Sequence, residues 1–531
     1  MTQLHLPQEF TSAVHATVSA LLLGFSLVAM PLAYQRAWQL WRGDQALHHG
    51  LALPWLAAAI ARWAIAPLWL TMVFIGYRMT ETAIQLVPIS HYGIGASALY
   101  HACFAFLPLD HRSMMLVNSV IGVFALPIHA SLALELLQNK RQATIFAWLN
   151  ALLPLLIQLD NSEANHVPTL WWLSAGLLLL VQHAKTQKLS TLAAALVPLT
   201  LAMISRPEML LLAPILAFLT LRMTQPPPLQ LNFLRHKPTL LLLWLAVLLL
   251  LPQILHVVSN DTALLPSPMA LLGRMPLVLT QSNVLLHPTL FPLGLLLFAT
   301  FAMWQKQVRP IGYMVIACLL AVAPDIDRGN MARVQAPAAL FACMLAAAGL
   351  DVFWQHNKPK VRALGVGLFL ISVSITALYL WRHTNEQTEE SFIRQVQIQL
   401  PKGPYTLVRL GSDDRVPKLV GRESTTQLHF PDYLFAPPTG QARIVSISAW
   451  LERPDRSVAA YFYAGVRCYA HWRPDGVPAP HGSNEHPACA RMRKDAKMVP
   501  ILQTEVQNDG DVWLNHYGDA KTLKLGLFRV Q

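Results

Sequence analysis

Charge is scarce in this chain. Asp, Glu, Lys and Arg together make up 13% of its 531 residues, about half the share carried by a soluble globular domain. That shortage excludes a string of soluble domains and a cytosolic enzyme. It excludes intrinsic disorder too, which needs high charge and little apolar content. Here 54% of residues are hydrophobic and the mean hydropathy is +0.40. Cysteine is scarcer still, and five residues exclude a disulfide-rich secreted scaffold. No P-loop, GxGxxG, HExxH or nucleophile elbow occurs in the sequence, so an ATP-driven pump is not expected from this chain.

What the sequence does have is leucine-rich stretches recurring from residue 12 to residue 381. They predict a polytopic α-helical membrane protein followed by a soluble α/β domain. The expected spans are about twelve: 12–34, 57–78, 114–137, 143–159, 168–184, 190–205, 209–222, 238–257, 286–304, 310–324, 334–352 and 363–381. Residues 92–108 are apolar but short, and suit a juxtamembrane helix lying in the interface. The alternative, in which they cross, would flip the first two spans. Without a basic n-region or a small-residue cleavage site, the first span is not expected to be a cleaved signal peptide. The domain boundaries expected are 1–56 for an N-terminal span and inner loop, 57–382 for the transmembrane core and 383–531 for the soluble domain.

Charge is divided to match. Residues 1–382 carry 22 Lys and Arg against 12 Asp and Glu, whereas residues 383–531 carry 18 against 16. The basic excess therefore belongs to short loops, where it points to bilayer orientation rather than nucleic acid. Arg36, Arg42, Lys140, Arg141, Lys185, Lys188, Arg222, Arg235, Lys237, Lys306, Arg309, Lys358, Lys360 and Arg362 fall in one alternate set of loops, which is placed in the cytoplasm. Arg62 is read as snorkelling near the inner end of its span. The opposite loops hold Glu81, Asp160, Glu163, Glu208, Asp261, Asp325 and Asp327. This arrangement puts the terminal domain on the periplasmic or extracellular side of an inner (plasma) membrane. There a Cys468–Cys489 disulfide could persist. The other reading of that pair is a zinc site with His471, His481 or His486, although the spacing fits no zinc module.

Three polar segments break the apolar pattern. In LDNSEANHVPTLWWL, the residues Asp160, Asn161, Ser162, Glu163, Asn165 and His166 gather before an apolar helix. They suit a helix cap, or a cluster that binds a metal or an attacking hydroxyl. Trp171 and Trp172 suit an interfacial belt. In ISRPEMLLLAP, Arg206 and Glu208 sit in a turn between two spans. They suit a local ion pair, or a phosphate held by the guanidinium fork. In PDIDRGNMARVQAP, Asp325 and Asp327 form a DxD beside Arg328 and Arg333. They suit mutual pairing, or a divalent cation (Mg2+ or Mn2+) and an anionic ligand. Glu81 is the one acid between the second span and the next helix.

This order of elements resembles the GT-C membrane glycosyltransferases, including those of the family 39 type. In these a first span leads to an outer loop with a catalytic acid, then a juxtamembrane helix and a string of spans. TETAIQLVPISHYGIGASALYH, SRPEMLLLAP and DRGNMARVQAPAALFACMLAAAGL carry the resemblance, which covers roughly residues 57–381. It implies inverting transfer of a sugar from a polyprenyl-phosphate carrier to a glycan, lipid or protein acceptor of the envelope, with no nucleic acid partner. Glu81 would be the catalytic base and Asp44 the second candidate, should the first two spans flip. Arg206, Arg328 and Arg333 would meet the phosphate. Asp160 and Glu163 would orient the acceptor or a metal, with His166 and Glu208 as further substrate-binding candidates; the residues themselves offer Asp325 and Asp327 for a metal. The reading from another class is a secondary transporter or flippase for lipid-linked glycans, which would need polar residues at mid-membrane depth.

Overall fold

The structure is a computed structural model. It describes residues 8–42, 45–65, 83–84, 86, 93–109, 111–162, 164–224, 237–260, 293–322, 336–382, 389–410, 442–465, 468, 485–507 and 522–531. The chain divides into two compact units, the helices through Arg382 and the segment from Glu389 onward.

The first unit is helical. Its elements are α1 (Gln8–Arg42), α2 (Gln45–Ile60, prolonged by a π turn Ala61–Ile65), α3 (Gly95–Cys103), α4 (His111–Leu137), α5 (Lys140–Leu152), α6 (Pro154–Asp160), α7 (His166–Thr186), α8 (Leu189–Ser205), α9 (Met209–Thr224), α10 (Lys237–Asn260), α11 (Leu293–Ala302), α12 (Arg309–Val322), α13 (Ala336–Gln355) and α14 (Pro359–Arg382). Helix covers part or all of each of the twelve expected segments. Among the described residues, five helices are long and apolar enough to cross a membrane, or six if the bent pair α5 and α6 counts as one. That falls short of the expected twelve.

Prolines and caps set the boundaries. Asn139 caps α5, its side chain accepting from the amides of Arg141 and Gln142 at 3.0 and 3.2 Å, as a short polar side chain does at an N-cap. Pro154 holds Leu153 extended, because a residue before proline is driven out of the helical region. The two halves meet there at 54°. The same rule ends α8, since Arg206 precedes Pro207 and is extended, at φ −145° and ψ 134°.

Ion pairs on buried carboxylates sort the helix ends into two sets. Arg36 of α1 donates to Glu135 of α4 at 2.5 Å, and Lys185 of α7 pairs with the other carboxylate oxygen. Arg141 of α5 meets Asp351 of α13 at 3.0 Å. These contacts mark a basic end. The short links 161–165 and 206–208 lie at the opposite, loop end, which α2, α6 and α8 also reach. A helix the length of α7 separates the two ends by about 30 Å.

Several expectations change here. The second helix starts at Gln45, twelve residues before the expected span and inside the expected inner loop. Arg62 does not snorkel; it is buried at the loop end of that helix. Trp172 is a core residue, not part of an interfacial belt. Residues 92–108 contain only the nine-residue α3, about 14 Å long and too short to cross.

The core is built from small residues at close quarters. Helix α13 is buried from Ala336 to Gly349, and a Cβ at Gly349 would lie 2.0 Å from the Phe298 carbonyl oxygen. Outward faces are apolar instead. Phe25, Leu27 and Val28 of α1 and Leu241, Trp244 and Leu248 of α10 are exposed, a surface that suits hydrocarbon better than water.

The second unit is a mixed α/β layer structure. It contains α15 (Glu389–Gln399), β1 (Tyr405–Arg409), β2 (Ala442–Ser446), α16 (Ile447–Glu452), β3 (Ala459–Ala464), α17 (Pro487–Asp495), β4 (Met498–Gln507) and β5 (Thr522–Val530). The sheet order is β2-β1-β3-β5-β4. Strand β1 runs parallel to β2 and β3, and β5 runs antiparallel to β3 and β4. Alternation along β1 sends Tyr405 and Leu407 toward Phe392, Ile393 and Val396 of α15. Val408 faces the other way, toward Trp450 of α16 and Met492 of α17. The Cys468–Cys489 disulfide lies in that second core, with Cα atoms 5.8 Å apart.

Candidate functional site

The loop end of the helical unit holds two buried charge pairs. The first joins Arg62 and Asp160. Arg62 Nε donates to Asp160 Oδ2 at 2.6 Å, and its Nη1 donates to the Ala151 carbonyl at 2.8 Å. The sharp α5–α6 bend exposes that carbonyl, because Pro154 and Leu153 interrupt the helical ladder above it. Gly122 of α4 leaves space for the carboxylate. A Cβ there would stand 2.2 Å from Asp160 Cγ.

The second pair is Arg206 with Glu208. Arg206 Nε donates to Glu208 Oε1, and its Nη1 donates to Asn165 Oδ1 at 2.9 Å. His166 Nδ1 lies 3.4 Å from the same Nη1. All four side chains are buried. Glu208 Oε2 has no hydrogen-bond partner among the described residues. A carboxylate oxygen in that condition costs free energy unless another group reaches it.

The described residues of the connecting loop are hydrogen-bonded in place between the two pairs. Asn118 of α4 donates to the carbonyls of Ser162 and Ala164 at 2.7 and 3.0 Å. Tyr100 of α3 donates to Asn118 Oδ1 at 2.6 Å. Ser162 Oγ donates to the Leu159 carbonyl at 2.7 Å and accepts from Ala164 N at 3.2 Å. The short helix α3 therefore fixes a polar loop through one asparagine.

The sequence reading placed Asp160, His166, Arg206 and Glu208 in one site. The structure gathers His166, Arg206 and Glu208 around Asn165, and gives Asp160 to Arg62. It reveals Arg62, Tyr100, Asn118 and Gly122 as parts of this end, none of which was singled out as a site residue. An asparagine between apolar turns was the available signal for Asn118. Glu81, Asp44, Glu163, Arg328, Arg333, Asp325 and Asp327 lie outside the described residues. Among the described residues no three His, Cys, Asp or Glu side chains come together as a metal-ligand set.

At the basic end Glu135 and Asp351 are buried acids that the sequence reading did not select. Asp351 also accepts from Gln142 at 3.2 Å and from Gln355 at 2.9 Å. Each carboxylate links groups on separate helices, Glu135 those of α1 and α7 and Asp351 that of α5.

No protein-family model matches the chain, and no curated protein matches it. Solved structures do. The Archaeoglobus fulgidus oligosaccharyltransferase in complex with Zn and sulfate is similar at a TM-score of 0.45 and 14% identity, over 68% of this chain and 60% of that one. Archaeal oligosaccharyltransferase AglB from the same organism, in complex with an inhibitory peptide and a dolichol-phosphate, gives 0.43 and 14%, over 68% and 62%. The form tethered to an acceptor peptide containing the NVT sequon gives 0.47 and 13%, over 81% and 70%. These neighbours are archaeal oligosaccharyltransferases. The chain spans about 60% of the length of the first of them, and likeness at this level fixes no residue correspondence.

Proposed function

We propose that the protein is an inverting glycosyltransferase of GT-C type. It would take a sugar from a polyprenyl-phosphate carrier and pass it to a glycan, lipid or protein acceptor at the outer face of the membrane. One observation carries this reading: a buried Arg206 braced by Glu208 and Asn165 beside His166 at the loop end. An arginine so placed can meet a phosphate whose lipid tail stays in the hydrocarbon. The proposal includes about twelve spans, cytoplasmic basic loops and a periplasmic or extracellular terminal domain. Alternation of basic and acidic loops supports this orientation.

The chemistry is a direct displacement. The acceptor hydroxyl gives its proton to the Glu81 carboxylate as its oxygen bonds the anomeric carbon. The carbon–oxygen bond to the phosphate breaks, and the electron pair leaves with the phosphate. Arg206, Arg328 and Arg333 take up that charge. A phosphate arriving at Arg206 competes with Glu208 for the guanidinium, so Glu208 keeps the fork oriented until the donor binds. Glu163 and His166 orient the acceptor. Asp160, already committed to Arg62, is assigned to positioning the loop. Asp325 and Asp327 are the candidates for holding a divalent cation, which would add positive charge at the phosphate.

Sugar transfer by the purified full chain from radiolabelled polyprenyl-phosphate sugars tests the reading. Wild type transfers, Glu81→Gln and Arg206→Ala lose transfer with folding intact, and Asp44→Asn retains it. Loss on Asp44→Asn with retention on Glu81→Gln keeps the enzyme but moves the base. No transfer by wild type from any donor overturns the proposal, leaving a transporter or an inactive member of the fold.

A further inference from the structure

Helix α3 meets the Arg206 site from two sides, and neither contact belongs to the site's own charge pairs. The first runs through Tyr100 and the facing Asn118 of α4, both buried. Tyr100 Oη lies 2.6 Å from Asn118 Oδ1 and 3.3 Å from the Ala164 carbonyl oxygen. A phenol has one proton to give, so the shorter contact takes it and fixes which way the Asn118 amide faces. The amide nitrogen then points at the Ser162 and Ala164 carbonyls.

The Ala164 carbonyl matters because of what shares its peptide plane. A peptide unit is planar, so the C=O of one residue and the Cα of the next move as one body. Holding the Ala164 oxygen therefore holds the Asn165 Cα. From that Cα extends the side chain that accepts from Arg206 Nη1 at 2.9 Å. The Ala164 amide is held as well, by Ser162 Oγ at 3.2 Å. Thr169 Oγ1 donates to the Asn165 carbonyl at 2.6 Å, which fixes the following plane. Tyr100 thus reaches the guanidinium through Asn118, Ala164 and Asn165.

The second contact seats α3 on the backbone that carries the arginine. A Cβ at Gly95 would stand 2.6 Å from Ser205 Oγ and 2.9 Å from the Leu201 carbonyl oxygen, and one at Gly93 would stand 1.9 Å from the Ile204 carbonyl oxygen. These residues form the last turn of α8, which ends at Arg206. The two glycines allow an approach that a side chain would block. One nine-residue helix therefore registers the brace of the guanidinium against the guanidinium's own backbone.

We propose that Tyr100 and Asn118 are positioning residues, acting through Asn165 to hold Arg206 where it meets the phosphate of the lipid-linked donor. This rests on the reading of Arg206 given above. A planar fork binds phosphate directionally, and in an ordered site a misplacement of about 1 Å can cost about a hundredfold.

The test is phosphate preference of the full chain in lipid nanodiscs. Radiolabelled farnesyl phosphate, a short polyprenyl phosphate, and farnesol, its uncharged control, are each equilibrated with loaded and empty discs. The ratio of their protein-dependent binding is the preference. Wild type prefers the phosphate, and Arg206→Ala abolishes the preference. Asn118→Ala lowers it at least tenfold and Tyr100→Phe at least threefold, with Arg206 in place. In an Arg206→Ala background neither has a further effect, and Tyr100→Phe adds nothing to Asn118→Ala. Should Asn118→Ala not fold, Tyr100→Phe, which loses a single oxygen, decides alone. Trp41→Phe removes a buried 3.0 Å bond to Ser131 of the same α4, toward the basic end. It lowers the unfolding temperature and leaves the preference unchanged, which separates positioning from loss of fold. Full preference in Tyr100→Phe and in folded Asn118→Ala, beside its loss in Arg206→Ala, overturns the proposal and leaves the reading of Arg206 standing. An equal drop in Trp41→Phe overturns it too. No preference in wild type, or full preference in Arg206→Ala, overturns the reading of Arg206 and the proposal with it.

Discussion

Arg62 and Asp160 stand 98 positions apart in sequence and meet at 2.6 Å with both side chains buried. The pair pins the end of the second helix to the end of the bent α5–α6 segment. Removing one partner leaves an uncompensated charge in a low-dielectric site. Asp160→Ala is therefore expected to cost about 3–5 kcal/mol, read as a lowered unfolding temperature in detergent. Arg62→Met combined with Asp160→Leu should recover most of the loss. Equal stability of Asp160→Ala and wild type would show that the pair bears no weight.

Gly122 owes its identity to the same carboxylate. Gly122→Ala pushes a methyl group into Asp160 and should cost about 1–3 kcal/mol as an overpacked core does. In an Asp160→Ala background the penalty should largely vanish. A double-mutant cycle measures this coupling, and additive costs would place the strain elsewhere.

Glu135 serves Arg36 and Lys185 together. Glu135→Gln keeps the shape but loses both charge-assisted bonds, for an expected cost of about 1–3 kcal/mol. Arg141→Gln at the half-exposed Asp351 pair should cost less, as pairs open to solvent do. Thermal unfolding of the two variants side by side checks the order.

How much of this was legible beforehand depended on distance along the chain. The Arg206-Pro207-Glu208 turn could be read directly, since proline restricts its predecessor locally. The Arg62–Asp160 pair could not, because nothing near Arg62 names its partner. The helix from Gln45 was hidden by His48, His49, Gly50 and Pro54, which dilute its apolar signal. Glu135 and Asp351 were passed over because acids at a basic end carry no motif. Strand β4 carries Pro500, which argues against a strand when read from sequence alone. It lies at the edge of the sheet, with a register shift between Pro500 and Leu502, the kind of place where proline is tolerated in a strand.

The disulfide offers a handle on orientation. Cys468→Ser with Cys489→Ser should destabilise the terminal unit by about 3 kcal/mol, as expected for a loop of this size. Protease susceptibility of that unit reads the effect. Thiol alkylation of protein from intact cells, before and after reduction, should modify this pair only after reduction. Ready alkylation without reductant would place the unit in a reducing compartment.

Asp455 should shape the acid limb of that unit. Its carboxyl is held below the usual carboxylate range, chiefly by the Ser457 hydroxyl and amide and then by Arg443. A depressed acid stabilises the fold above its unfolded pKa of about 3.9, and loses that contribution as pH falls through the lower folded value. Asp455→Asn should therefore be less stable by a constant amount above about pH 5, and the gap should close below about pH 4. A gap independent of pH would assign the effect to packing.

Helix α13 has its own consequence for how the chain is made. Buried from Ala336 to Gly349, it presents almost no side that lipid could wet. It also comes late in the chain, after α5, α11 and α12, three of the helices against which it packs, with α14 following as a fourth. A nascent α13 leaving the ribosome thus finds most of its solvent already synthesised: earlier helices of the same chain. Enlarging its alanines would tax insertion during biogenesis before it taxed the finished protein.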